Sequence, residues 1–530
     1  MRKIIILVSA LLIGIAFMSY LYFSKLGVEN DAKDLALQSA TNNAALLFSF
    51  QNDKGFYEII EGQNLLQQAI GKDKTELLRQ LKESFINNKT INNLIQDQEI
   101  YISLLPDSNK TLNFLITVQV KPDHSALNFQ NQLKPFLTPV PQENSIFTAK
   151  VNDSLLIFVG VQHQVLTLST SLKLIKNAGI RLKENPFTAY IKEARLQNKN
   201  ILAQLYINFN QAPLLLKNII SGNLNGELAV FNKQNSFATL NYNFSKEKIL
   251  FNGNTELMAS DNYLKLFENV AVQNTEIQNI LPDQTANYTL YAFDNYSSWH
   301  KKLANWQAQK KLTDKTNLLL KRIKSEYRTD LNAIFPIYLK NQFITFQLNT
   351  GEKLAAITLS NGEKVKQLLF DVSEDYSEEI KHFKSSDILF SYLGEPLKNF
   401  GRPYYTIIDN YLIAANNAST IQSFLEKYRN NKLLIQEPEY LDAMNQLSST
   451  SNIGYYVNLK RSSNMFRSQI FPQYYKHLQA DSGLKAFDTF YYQMSADRNK
   501  FITNILLNKY LKPLVLDSLS NRSIEIRPEN

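Results

Sequence analysis

The chain of 530 residues is 44% hydrophobic and 12% aromatic, and its 57 Lys+Arg against 48 Asp+Glu give a formal net charge of +9. It has no cysteine, which excludes disulfides, thiolate metal sites, a cysteine nucleophile and a lipid-modified N-terminal cysteine. Its length suggests about two to four domains. Charges of both signs are interspersed, which gives no footprint for nucleic acid.

The chain opens with Arg2 and Lys3, followed by an uncharged run from Ile4 to Phe23. As a helix that run would span roughly 30 Å, the thickness of a bilayer's hydrocarbon core. A single N-terminal transmembrane anchor is therefore expected over residues 1–25, with Ile4, Leu12, Phe17 and Phe23 in the bilayer. The alternative is a signal peptide cleaved after Gly14-Ile15-Ala16, which would leave an apolar new N-terminus. Arg2 and Lys3 favour a cytoplasmic start, which places the body outside the inner membrane, in the periplasm. The cysteine-free composition fits a bacterial envelope protein.

A polar stalk is expected over 26–43, and then a first repeat over 44–258. Its first strand begins at Leu46, and helical periodicity runs from Lys54 to about Phe85. A hairpin follows around Pro106-Asp107-Ser108-Asn109. A short helix is expected from His124 to Leu137, then strands near Ile146, Leu155 and Val165. Asn185-Pro186 opens the next helix. A strand from Ile201 to Phe209 precedes a three-strand meander between Glu227 and Glu256. A connector occupies 259–285.

The second repeat, 286–508, repeats this plan before a tail, 509–530. Its long helix is expected over Ser297–Arg328, its hairpin turns at Asn349-Thr350-Gly351-Glu352, and Glu437-Pro438 opens a helix as Asn185-Pro186 does. A helix over Ser463–Leu478 leads to the last hairpin. Four matches in conserved order support a duplication: Phe48 with Tyr291, Val165 with Tyr411, Tyr206 with Tyr456, and Phe237 with Phe487. Short turns between strands imply antiparallel pairing. The expected fold class is α+β: two tandem copies of an antiparallel sheet with helices, behind a single transmembrane helix.

The segments Leu281-Pro282-Asp283-Gln284-Thr285-Ala286-Asn287-Tyr288 and Asp409-Asn410-Tyr411-Leu412-Ile413-Ala414-Ala415-Asn416, entering a repeat and a helix, carry a resemblance. With the anchor and duplication, the chain resembles a family of uncharacterised membrane-anchored bacterial envelope proteins, a domain of unknown function. That resemblance implies a location and an architecture, and no chemistry.

Motif matches are weak. Ser482-Gly483-Leu484-Lys485 and Ser260-Asp261-Asn262 fit patterns of penicillin-binding enzymes, but in the wrong order and with no Lys-Thr-Gly. His124, His163, His300, His382 and His477 are scattered, without metal-ligand spacing. Asp371, Glu374, Asp375, Glu378 and Glu379 read as a solvated acidic face. No cofactor, metal site or catalytic residue is assigned, and no enzyme activity is expected. Lys301, Lys302, Lys310, Lys311 and Lys315 lie on the helix that carries Trp299 and Trp306. They are candidate contacts for anionic lipid or polymer, against the simpler reading of a solvated face over a buried Trp stripe. The expected function is a membrane-tethered extracytoplasmic binding or scaffolding protein, with the cleft between the repeats as contact site and an envelope protein as one possible partner. A lipid carrier is the alternative, and an unassigned hydrolase the third.

Overall fold

A computed structural model describes residues 35–511, apart from 107–111, 122–136, 142, 144, 153–154, 163, 179–183, 198–200 and 223–233. Alternating apolar residues make strands that are buried on one or both faces. In the first half these are β1 (Leu46–Gln51), β2 (Glu99–Pro106), β3 (Leu112–Gln119), β4 (Thr138–Pro139), β5 (Ile146–Asn152), β6 (Leu155–Gln162), β7 (Val165–Ser169), β8 (Ala203–Asn208), β9 (Ser236–Phe244) and β10 (Lys248–Leu257). A two-residue strand, β11 (Gln273–Asn274), lies in the connector. The second half has β12 (Thr285–Ala292), β13 (Leu339–Leu348), β14 (Lys353–Leu359), β15 (Ser373–Asp375), β16 (Lys381–Phe383), β17 (Tyr404–Ile408), β18 (Tyr411–Ala415), β19 (Thr450–Ser451), β20 (Ile453–Asn458), β21 (Thr489–Asp497) and β22 (Lys500–Asn508).

Apart from the small β11–β19 pair, these strands form one antiparallel sheet of 20 strands. Tracing the pairings gives β4-β5-β6-β7-β3-β2-β1-β8-β9-β10 and then β22-β21-β20-β12-β13-β14-β18-β17-β16-β15. The two halves use one strand order, reflected about the β10–β22 pair. Two separate sheets were expected, and one continuous sheet is found. The reason is that β10 and β22 would each be an edge with unpaired N–H and C=O groups. Pairing Lys248–Thr255 with Asn508–Phe501 removes both edges. The outer ends are blunted instead, by the two residues of β4 with Pro139 and by the short acidic β15.

The expected transmembrane helix is also corrected. Among the described residues no helix is long and apolar enough to cross a membrane. The longest, Thr313–Tyr327, has 15 residues and carries lysines, so it would reach only about 22 Å against the roughly 30 Å required. The anchor residues Ile4, Leu12, Phe17 and Phe23 lie outside the described residues, as do most of the His124 helix and the Asp107-Ser108-Asn109 turn. Residues 35–41 are helical, and Ala36, Leu37 and Ala40 are buried against Phe187, Tyr206 and Phe237.

Three expected helices are broken. The segment from Lys54 to Ile86 divides at Gly62 and Gly71 and ends in a π-turn. The Trp helix stops at Gln309: Leu312 N–H donates to Gln307 C=O at 2.8 Å and Lys311 N–H to Ala308 C=O at 3.0 Å. With Lys311 left-handed at φ 58°, this is a Schellman ending. Pro472 restarts the third helix after Gln469. The expected meander has two strands among the described residues, β9 and β10.

The duplication is offset from the simple sequence matches. Phe48 lies opposite Leu205, and Thr289 opposite Tyr455. With Tyr206 equivalent to Tyr456, Phe48 corresponds to Thr289 rather than Tyr291. Likewise Tyr206 faces Thr239 and Tyr456 faces Tyr491, so Phe237 corresponds to Thr489 rather than Phe487. Both shifts are by two residues, which keeps every side chain on its face.

One face of the sheet carries two large cores under the helices that follow β1 and β12. The opposite face is covered in two places. The helix Pro186–Gln197 packs on the first half, through Phe187, Tyr190 and Ile191. The helices Ala418–Arg429 and Pro438–Met444 pack on the second half, through Ile421, Phe424, Leu425 and Tyr440.

Candidate functional site

Between those two covered regions, on the same face, lie the four central strands. Asn241 and Asn243 of β9, Asn252 and Asn254 of β10, and Asn504 of β22 point from it, Asn243 and Asn252 exposed and the others half-buried. Asparagine is disfavoured in strands because its amide competes with the backbone ladder. Five on one face of interior strands therefore stand against local preference.

Three of them form a row. Gln204, Asn241, Asn252, Asn504 and Gln493 are directly opposite one another in successive strands. The ends of the row are held. Gln204 Nε2 donates to Asn241 Oδ1 at 3.2 Å, and the Tyr206 hydroxyl donates to Gln204 Oε1. Asn504 Nδ2 donates to Gln493 Oε1 at 3.2 Å, and Gln493 Nε2 to Ser448 C=O at 2.7 Å. In the middle, Asn243 Nδ2 donates to Asn252 Oδ1.

The walls come from equivalent helices. Asn185 caps the first by accepting from Thr188 N–H at 2.9 Å, with Pro186 in its first turn. Its Tyr190, Glu193 and Ala194 join Thr239, Asn254, Glu256 and Lys500 in lining a concavity at one end of the asparagine patch. The second wall begins at Pro438. There Asp442 Oδ2 accepts from Asn508 Nδ2 at 2.7 Å, and Gln446 accepts from Lys248 Nζ. Pro186 and Pro438, Asn252 and Asn504, and Lys248 and Lys500 are each 252 positions apart. The groove thus has approximate two-fold symmetry, with a lysine at each end. The ends differ in that Glu256 at one is replaced by Asn508 at the other. Burial pushes the Glu256 carboxyl up, Glu193 adds to this, and Lys500 opposes it. Burial also pushes the Tyr190 phenol up.

The lysine cluster is placed elsewhere, on the opposite face. Trp299, Leu303 and Trp306 are buried, at 0%, 0% and 5% exposure. Lys310 pairs with Asp261 at 2.6 Å and Lys315 with Asp387 at 2.9 Å. Lys302 donates to the Glu268 carbonyl at 2.8 Å, and burial lowers its pKa. Lys301 and Lys311 are exposed.

Residues of the weak motifs have structural employment. Asp261 C=O accepts from Trp306 Nε1, Asn262 caps Leu264 N–H, and Lys485 pairs with Asp481. His300 stacks between Tyr296 and Tyr392, His382 stacks on Tyr404, and His477 bonds the Ala69 carbonyl. His124 and His163 lie outside the described residues. The acidic face is tied to cations, Glu374 to Arg402, Asp375 to Lys381 and Glu379 to Arg429.

Sequence reading missed the asparagine patch. Its signal was present as Asn241-Tyr242-Asn243 and Asn252-Gly253-Asn254, amides at alternate positions of one hairpin. Only strand register shows that Asn504 completes it. No family model matches this chain, and no curated protein or solved structure matches it.

Proposed function

We propose that this is a binding or scaffolding protein of the bacterial envelope, working outside the cytoplasm, with the groove between its halves as the contact site. One observation carries the reading: five asparagines on one face of interior strands, two exposed and three half-buried, between two walls built from equivalent helices. Exposed amides in an open groove offer donors and acceptors without a fixed charge. That suits recognition, and it provides no nucleophile. The amide floor also weighs against a lipid carrier, whose groove would be apolar. The cysteine-free composition argues against a disulfide-stapled secreted protein and is compatible with the envelope setting.

The test is site-specific photo-crosslinking in intact cells. A photoreactive side chain at Asn252 should give adducts. The same group at Ile337, which is 63% exposed and on the helix Phe335–Tyr338 away from the groove, should give none. Equal labelling at both positions, or none at Asn252, would overturn the proposal.

A further inference from the structure

We infer that the groove takes an uncharged, hydroxyl-rich chain, a neutral glycan, laid across the strands along the row Asn241–Asn252–Asn504. This rests on the groove being a binding site, and it adds the ligand's chemistry.

Four observations lead there. First, β9, β10, β22 and β21 are all interior strands whose backbone groups are paired on both sides. A peptide that binds by strand addition needs a free edge, and these four strands offer none. A ligand in this groove is held by side chains. Second, those side chains are amides. Asn241 Oδ1, Asn252 Oδ1 and Asn504 Nδ2 each have one amide partner. An amide has two acceptor sites and two donor protons, so each retains hydrogen-bonding capacity of the kind that matches the hydroxyls of a sugar ring. Third, no lysine or arginine stands among the five asparagines, although the whole chain carries +9. A polyanion would find no cation along the amide row: the two lysines stand at the groove's ends, Lys500 beside the Glu193 and Glu256 carboxylates and Lys248 bonded to Gln446. Fourth, Ile502 lies opposite Asn254 and is 47% exposed. With half-buried Leu250, it offers an apolar surface for the C–H face of a pyranose beside the amides that bind its rim.

The dimensions agree. Gln204 and Gln493 are buried and mark the limits of the row. Between them Asn241, Asn252 and Asn504 span two inter-strand steps, which at about 4.8 Å each is roughly 10 Å, room for about two sugar rings of a longer chain.

The experiment is calorimetric titration of the full chain with four probes: cellohexaose, hexa-N-acetylchitohexaose, an oligogalacturonate as polyanion, and a Gly-Ser hexapeptide. The expected result is binding of at least one of the first two and of neither control. In Asn252→Leu/Asn504→Leu, affinity should fall by about tenfold or more, since two amides are lost. Asn252→Ser/Asn504→Ser should behave the same way without added apolar surface. Asn317→Leu, on the exposed side of the helix Thr313–Tyr327, should bind as the parent does. Unchanged thermal unfolding shows that each variant is folded. No binding of either neutral oligosaccharide, or equal affinity in the asparagine variants, would overturn the inference. If crosslinks still form at Asn252 in that case, only the ligand class is wrong. If none form, the binding reading falls with it.

Discussion

Asn252 and Asn504 face each other across β10 and β22, at the centre of the 20-stranded sheet and on its approximate two-fold axis. Each is the other's counterpart in the duplicated chain. The same pair of strands both joins the halves and floors the groove, so binding and fold share one junction.

That junction leaves no space beside Asn252. A Cβ on Gly253 would stand 2.0 Å from the Thr239 carbonyl oxygen, which is backbone and does not swing aside. Gly253→Ala should lower stability by about 1–3 kcal/mol, the usual cost of overpacking. Urea unfolding would show a lower midpoint. A midpoint equal to the parent's would mean that the seam is looser than described.

Glu256 gives a pH signature. Its carboxyl is raised by burial and by Glu193, so the folded state holds a proton that the unfolded chain has released. Stability contributed at this site is full below the ordinary carboxylate range. It is lost as pH climbs from there through the raised value. Glu256→Gln, permanently neutral, should therefore unfold at a higher temperature than the parent at pH 7 and at a similar one near pH 4. Calorimetry at the two pH values checks this, and a gain confined to the acid side would contradict it.

The two tryptophans should be costly to truncate. Trp299 stacks on Phe293 with centroids 4.6 Å apart, and Trp306 donates to the Asp261 carbonyl at 3.0 Å. Trp299→Ala and Trp306→Ala should each cost about 3–5 kcal/mol, read by chemical denaturation. A loss below about 1 kcal/mol would mean that the ring is not in the core.

The lysines should divide by their partners. Lys310→Glu and Lys315→Glu each bring a carboxylate against Asp261 or Asp387. Each should cost up to about 1 kcal/mol, the scale of exposed ion pairs. Lys301→Glu should stay within about 0.5 kcal/mol. The same variants, sedimented with anionic vesicles at low and high salt, test the lipid contact. Equal pelleting of parent and reversed forms, or none by either, would give this helix a structural role only.

Local chemistry made much of the chain legible from its sequence. Short apolar runs on either side of Asp409-Asn410 mark β17 and β18, the Asn185-Pro186 and Glu437-Pro438 pairs mark two helix starts, and spacing by seven puts Trp299 and Trp306 on one buried face. These features depend on neighbours within a few residues. The single sheet, the two-residue shifts in the repeat, the partners of Lys310 and Lys315, and the meeting of Asn252 with Asn504 do not. They are set by pairings between segments up to about 250 positions apart, where register fixes which side chains share a face. Tertiary structure alone made that choice, because the energy that selects it comes from removing two sheet edges at once and from burying both helical layers.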